Sequence, residues 1–273
     1  MSKSSARVVP FCIDQGPEPA EIPEQFVLHY QPRVDLQSRV TTSAEALVRW
    51  EHPTAGLLYP DSFIRHFEED GRIYGLGDWI ITEAVRQAAV WAASGGPRVS
   101  VNVSAKQVQV SNFIARIEQA LSRFSLNPNC LELEVTESCG ITDTSSASKI
   151  LGELRELGLS IALDDFGTGA MTMNVLIWMP VNVIKLDQAV ARTLLTSSRT
   201  RDLARATIKF AEALQATVVL EGVETPEQLG IARDLGFHEV QGFLFSRATP
   251  PGMLTNDWAS HSAWAKGDDN EIV

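Results

Sequence analysis

The sequence is short of cysteine, histidine, long apolar runs and positive charge, and each shortage removes a class of protein. Among its 273 residues there are three cysteines, Cys12, Cys130 and Cys139. Their odd number and the lack of any CxxC spacing argue against a disulfide framework or a thiolate zinc site. They read as thiols in a reducing compartment. Five histidines (His29, His52, His66, His238 and His261) are scattered with no HxxxH pair, so imidazole-rich metal chemistry is not expected. The longest late apolar stretch, Val175 to Ile184, is broken by Pro180 and Asn182. It cannot span a bilayer, which takes about 20 apolar residues. The run from Val8 to Ile13 contains Pro10 and is too short for a secretory signal. A cytoplasmic protein without membrane insertion is therefore expected. Lys and Arg number 23 against 34 Asp and Glu, a net charge of −11. That field does not favour a DNA or RNA polymer, and an anionic substrate would need local cations or bound metal.

What is present is an alternation of short β-branched runs with longer helical patterns. Residues 1–24 are rich in Ser, Pro, Glu and Gly and read as a flexible arm; residues 266–273, KGDDNEIV, read as a polar tail. Between them, 25–265 reads as one domain. Apolar runs at Phe26–Tyr30, Ala44–Trp50, Val99–Val103, Leu131–Val135, Ser160–Leu163, Val181–Leu186, Thr217–Leu220 and Val240–Phe245 make eight candidate strands. Leu76, Ile80, Ala84 and Ala88 mark a helix face, as do Ile114, Ile117, Leu121 and Phe124. Ile150, Leu151, Leu154 and Leu157 mark a third helix closed by Gly158. Leu203, Ala206, Phe210 and Leu214 mark a fourth, and Pro226 opens a fifth that ends at Gly236. Eight strands alternating with helices suggest an α/β protein of the (β/α)8 barrel class, with an open parallel sheet as the alternative.

Strands buried on both faces are nearly all apolar, yet these carry polar groups late in each run. Glu45 is followed four residues on by Arg49. Asn102 lies in SVNVS, and Glu134 and Glu137 lie in LELEVTES. Asp164 and Asp165 end SIALDD, and Lys185 and Asp187 end VIKLD. Glu221 and Glu224 follow VVL, and Gln241 follows Val240. In a barrel, the C-terminal strand ends converge on one face. A set of carboxylates and an amide without His or Cys suits Mg²⁺ or Mn²⁺. Neighbouring carboxylates such as Asp164 and Asp165 can hold two ions, which suits in-line displacement at phosphorus. Lys185 would orient water, accept its proton or neutralise a phosphate oxygen. Taken singly, each feature has a plainer reading. Glu45 and Arg49 read equally as a surface ion pair, Asn102 as a group satisfying backbone, and Asp164-Asp165 as turn and cap. Their joint fall at strand ends favours a site.

These segments also form a recognisable series. YQPRVDL, AEALVRWEHPTAGLLYPDSFI, SVNVSAKQ, LELEVTES, ALDDFGTG, VNVIKLD, LEGVET and QGFLFSRATP occur in order between about Phe26 and Pro250. The chain resembles the EAL family of bacterial cyclic-di-GMP phosphodiesterases. The resemblance implies a modified TIM (β/α)8 barrel with an antiparallel first strand, and hydrolysis of cyclic-di-GMP to linear pGpG in second-messenger signalling. It implies Mg²⁺ or Mn²⁺, two per site. Glu45, Asn102, Glu134 and Asp164 look like ligands of one ion, and Asp164, Asp165 and Glu221 of the second. Lys185 looks like the residue that activates or positions the water. Gln31, Leu47 and Arg49 look like substrate contacts, Arg49 near a phosphate, and Gln241 looks like a supporting group at the metal-water site. Glu137 looks like a steadying group for the loop after Asp165, and Glu224 resembles a further site position.

One departure matters. After DDFGTG, active members of the family usually continue Tyr-Ser-Ser-Leu, whereas this chain has Ala170-Met171-Thr172-Met173. In the family that segment couples metal binding to a dimer interface. The complete ligand set favours an active homodimeric enzyme. The altered loop leaves open a weakly catalytic receptor or a module that binds a regulatory protein. The length is expected to leave no room for an attached cyclase or a folded sensor.

Overall fold

The protein is described by a computed structural model over residues 22–136, 144–167, 177 and 179–254. A short helix α1 (Ile22–Gln25) leads into β1 (Phe26–Asp35), β2 (Thr41–His52) and a three-residue β3 (Gly56–Leu58). Helices α2 (Ile64–Asp70) and α3 (Ile73–Ala92) precede β4 (Arg98–Val103), and α4 (Ala105–Val108) and α5 (Phe113–Phe124) precede β5 (Leu131–Thr136). Then follow α6 (Thr144–Glu156), β6 (Ser160–Phe166), β7 (Val183–Leu186), α7 (Gln188–Leu194), α8 (Ser198–Ala213), β8 (Thr217–Leu220), α9 (Pro226–Leu235) and β9 (Glu239–Gln241).

The strands pair in the order β1-β9-β8-β7-β6-β5-β4-β2, and β1 also pairs with β2, so eight strands close into a barrel. β1 is antiparallel to both neighbours, β2 and β9. The remaining ring pairings are parallel. This is the modified barrel the sequence resemblance implies. The open-sheet alternative fails because a sheet with β1 joined to both ends has no edge within the ring. The ninth strand, β3, is a hairpin appendage on the outside edge of β2.

Local chemistry explains the helix limits. α9 begins with Pro226 after Thr225, whose hydroxyl accepts from Gln228 N, and it ends at Gly236 with φ +88°. The main core lies between the strands and the helices and contains Leu76, Ile117, Leu151, Leu154 and Ile208. On the outside of β2, Trp50 stacks on Phe26 at 5.3 Å and meets Phe63 and Phe67 edge-on at 5.7 Å. These rings tie α2 and the turn before it to the barrel wall.

Inside the ring the filling is different. Alternation places Ala162, Val183 and Val219 inward, where they form a separate small apolar cluster. Two residues further along the same strands come Asp164, Lys185 and Glu221. The barrel lumen is therefore thin in apolar volume and capped by charged layers.

Several strands run beyond the expected bounds, β1 to Asp35 and β6 to Phe166 among them, and two expected runs are only partly strand. The expected run Val181–Leu186 is strand only from Val183. The expected run Val240–Phe245 stops at Gln241. There the chain turns, with Leu244 N donating to Val223 O at 3.0 Å and Phe245 N to Gly242 O at 3.1 Å. A Cβ on Gly242 would sit 2.0 Å from Val223 O, so the turn lies directly against the loop after β8. Ile22 is already buried, with 4% exposure. Among the described residues, no helix is long and apolar enough to cross a membrane.

Candidate active site

The C-terminal mouth of the barrel gathers most of the expected residues around one amine. Lys185 on β7 is 1% exposed. Its Nζ lies 2.6 Å from Glu134 Oε2, 2.6 Å from Glu221 Oε1, 3.1 Å from Asp164 Oδ1 and 3.6 Å from Glu45 Oε2. Asn102 donates through Nδ2 to Glu45 Oε1 at 2.7 Å. Gln241 donates through Nε2 to Glu45 Oε2 at 2.6 Å and to Gln31 Oε1 at 3.3 Å. Gln31 in turn donates to Ser246 O at 3.0 Å. The register explains the amide contacts, since Gln31 is the antiparallel partner of Glu45 and Arg33 of Gln241.

Two consecutive residues cannot both face inward from a regular strand. Asp164 and Asp165 manage it because β6 slips register against β7 between Leu163 and Phe166. Asp165 takes φ +56°, a left-handed conformation that Asp tolerates better than most residues. Its N–H donates to Asp164 Oδ1 at 3.0 Å, which pins the bulge. Carboxylate oxygens of Asp164, Asp165 and Glu221 lie within 4.8 Å of one another.

The electrostatics are those of a site short of cations. Burial and the nearby Glu45 carboxylate raise Glu134 well above the usual carboxylate range, although Lys185 pulls the other way. Burial pushes Glu221 up to about 8, against the pull of Lys185 and with Asp164 and Glu45 adding to the rise. Asp165 is raised by burial and by Asp164. Burial disfavours the charge on Lys185, but Asp164, Glu134, Glu221 and Glu45 together outweigh it and hold the amine well above its ordinary value. Glu134 Oε1 is buried with no hydrogen-bond partner among the described residues. One ammonium cannot neutralise four carboxylates, and the unpartnered Glu134 oxygen fits a further cation. Hard oxygen donors fit Mg²⁺ or Mn²⁺.

Leu47, Glu224, Gly222, Asp187 and Phe243 share a cleft of about 260 Å³ with Gln31, Glu45, Asp164, Asp165, Glu221 and Gln241. Leu47 and Asn102 also border a larger cleft of about 730 Å³ that runs over Pro60, Ile64 and Ser104. Glu224 thus sits at the rim, where its backbone N donates to Gln228 Oε1 at 2.8 Å. Asp187 caps α7, accepting from Ala189 N at 2.8 Å. Arg49 is not in the carboxylate ring. It lies beyond Leu47 on β2, donates to Val48 O at 2.9 Å and stacks on Tyr59. Glu137 and the segment Ala170–Met173 lie outside the described residues.

A second ionic cluster was not anticipated from the sequence. One layer deeper, Arg33 donates to Glu132 Oε1 at 2.6 Å and to Oε2 at 3.3 Å. Arg33 Nε also lies 2.6 Å from Glu239 Oε2, a charge contact poorly aligned for a hydrogen bond. Ser160 donates to Glu132 Oε2 at 2.7 Å, and Arg98 reaches the same oxygen at 3.4 Å. The clue was present in LELE and QPR, where period-two alternation places Glu132 beneath Glu134 and Arg33 beneath Gln31.

A model of the EAL domain matches residues 21–248, and the chain belongs to that family. It is 38% identical over 228 residues to the cyclic di-GMP phosphodiesterase PdeR of Escherichia coli, covering 83% of this chain and 34% of PdeR. It is 39% identical over 233 residues to the cyclic di-GMP phosphodiesterase NbdA of Pseudomonas aeruginosa, covering 85% of this chain and 30% of NbdA. The chain thus spans about a third of the length of these curated relatives. Among solved structures, the PaMucR phosphodiesterase in complex with c-di-GMP superposes with a TM-score of 0.82 at 36% identity, covering 86% of this chain and 97% of that one.

Proposed function

We propose that this domain hydrolyses cyclic-di-GMP to linear pGpG with two bound divalent ions, Mg²⁺ or Mn²⁺. The observation that carries this reading is the ring of Glu45, Glu134, Asp164 and Glu221 around Lys185, with Asp165 alongside. Glu45, Asn102, Glu134 and Asp164 would hold one ion, and Asp164, Asp165 and Glu221 the other. When bound, such a pair activates the attacking water and stabilises the departing oxygen of a phosphodiester.

The chain's own groups do the rest. Lys185 keeps a proton at Nζ among the carboxylates, placed to orient the incoming water or to neutralise a phosphoryl oxygen. Asn102 and Gln241 each occupy one oxygen of Glu45 and so fix its plane. Gln31, Leu47 and Arg49 would contact the substrate, Arg49 near a phosphate. The small cleft suits a phosphodiester, and the larger one beside Leu47 gives room for the rest of a cyclic dinucleotide. The names of PdeR, NbdA and the PaMucR complex support the same substrate. The resemblance also supports a cytoplasmic homodimer open to a regulatory protein partner, with Glu137 steadying the loop after Asp165 and Glu224 as a further site position.

Incubating the purified protein with cyclic-di-GMP and Mg²⁺ or Mn²⁺ is expected to yield pGpG. No product with either ion, across a range of protein concentrations, would overturn the reading. Light scattering across the same range tests the dimer.

A further inference from the structure

Arg49 is held in an unusual way. It is 6% exposed, and of its five N–H groups one donates to Val48 O at 2.9 Å. Its buried Nε has no hydrogen-bond partner among the described residues. No carboxylate is recorded within salt-bridge distance of it among those residues; instead its guanidinium carbon lies 4.8 Å from the ring centroid of Tyr59. Tyr59 is itself 58% exposed, so burial of the ring does not explain its placement.

The backbone shows how Tyr59 comes to be there. β3 pairs with β2 so that Leu58 faces Trp50. The next residue, Tyr59, therefore continues opposite Arg49. Tyr59 is extended, with φ −100° and ψ 157°, the conformation that a following proline, here Pro60, favours. Its carbonyl accepts from Ser62 Oγ at 2.6 Å and from Ser62 N at 3.0 Å. Phe63, packed on Trp50, anchors the end of the same turn. The ring thus stands on a rigid support, which a side chain left loosely at the surface would not have.

We propose that Tyr59 is a positioning residue, which clamps Arg49 by a cation–π contact so that an otherwise under-bonded guanidinium is already held in place when an anionic phosphodiester arrives. The proposal rests on the reading of Arg49 as a phosphate contact. Arginine loses rotamer freedom when it grips a ligand, and a clamp that fixes it beforehand lowers that cost. The effect belongs to binding and not to the chemical step, because Tyr59 lies with Arg49 outside the carboxylate ring. A cation–π contact of ordinary strength corresponds to roughly 2- to 30-fold in affinity.

The test is a cycle of four proteins, wild type, Tyr59→Ser, Arg49→Ala and the double variant, with Tyr59→Phe as the conservative control. Steady-state turnover of cyclic-di-GMP is measured with Mg²⁺. Tyr59→Ser is expected to raise KM by roughly 2- to 30-fold with kcat within about twofold. Tyr59→Phe, which keeps the ring, is expected to match wild type. In the Arg49→Ala background, Tyr59→Ser is expected to add nothing, because groups acting through one another are not additive. An unchanged KM in Tyr59→Ser, a Tyr59→Phe variant as weak as Tyr59→Ser, or an equal further loss in the Arg49→Ala background would each overturn the clamp. If wild type makes no pGpG, the phosphodiesterase reading falls by itself. The same cycle is then read as Kd by calorimetry with cyclic-di-GMP, with the same outcomes for and against. Absence of both turnover and binding overturns the clamp as well.

Discussion

Two ionic clusters share one barrel lumen, a layer apart, and they differ in charge balance. In the deeper one, the guanidinium groups of Arg33 and Arg98 meet the carboxylates of Glu132 and Glu239. Cations and anions match, and although burial would raise Glu132, Arg33 and Arg98 hold it down at about 2. In the upper one, Lys185 is the one cation among the described residues within salt-bridge reach of Glu45, Glu134, Asp164 and Glu221, and burial pushes Glu221 up to about 8. Both contain fully buried acids, Glu132 in the deeper cluster and Glu134 in the upper one. What separates a structural plug from a candidate site is therefore the missing positive charge, not the burial of acids. The deeper cluster is balanced in charge among the described residues, and the upper one carries an excess of acid.

A crossed pair of variants gives the largest effects and could break this contrast. Glu132→Ala leaves Arg33 buried with only the misaligned Glu239 contact, and stability is expected to fall by about 3–5 kcal/mol, with turnover per folded molecule little changed. Glu45→Ala removes one acid from a crowd. Its turnover is expected to fall more than about 100-fold, since even groups behind metal ligands are worth about 10- to 100-fold, while its melting temperature stays near that of wild type. Denaturant unfolding and turnover measured on both variants decide. If Glu45→Ala unfolds as readily as Glu132→Ala, or Glu132→Ala loses turnover without losing stability, the two clusters do not have separate roles.

The sequence made the upper cluster readable and hid the lower one, for a physical reason. Strand ends that carry acids in a barrel are unusual enough to mark a shared face, so Glu45, Asn102, Glu134, Asp164, Lys185 and Glu221 could be grouped before any coordinates. Arg33 and Glu132 each sit between apolar neighbours, where a polar residue also reads as an ordinary solvent-facing position. Only closure of the ring turns that face inward. The eight ring strands were visible as β-branched runs, whereas β3 is three residues long and rests on its pairing with β2. The left-handed turn at Asp165 and the stop at Gly242 come from contacts across the mouth, with β7 in one case and with Val223 in the other. Tyr59 carried no signal as a site residue, because its role depends on a hairpin register that spacing alone does not give.

Metal addition sharpens the contrast at the next level of size. Mg²⁺ or Mn²⁺ at about 100 times its Kd is expected to stabilise the protein by about 2.7 kcal/mol, read as a rise in melting temperature of roughly 5–10 °C. The gain should vanish in Glu45→Ala or shrink strongly. An equal rise in that variant would place the ion elsewhere.

The smallest effect is the pH dependence of the metal-free protein, and its sign differs between the clusters. Glu221 is raised from 4.5 to about 8. The folded state therefore binds more protons than the unfolded one between those values, and stability falls as pH rises through them. One proton gives a slope of about 1.4 kcal/mol per pH unit. In the metal chelator EDTA, moving from pH 6 to pH 7 is thus expected to lower the melting temperature by roughly 3–5 °C. Glu132 is lowered from 4.5 to about 2, so its contribution is fully present above 4.5 and is lost only as pH falls towards 2. It adds no slope between pH 6 and pH 7. Saturating Mg²⁺ should flatten the pH 6–7 slope, because bound cations take the place of the shared protons, and Glu221→Gln should reduce it without metal, leaving the share of Glu134, which is also raised. A slope unchanged by both the metal and Glu221→Gln would show that the upper cluster is not the group titrating, and the charge imbalance would lose its thermodynamic signature.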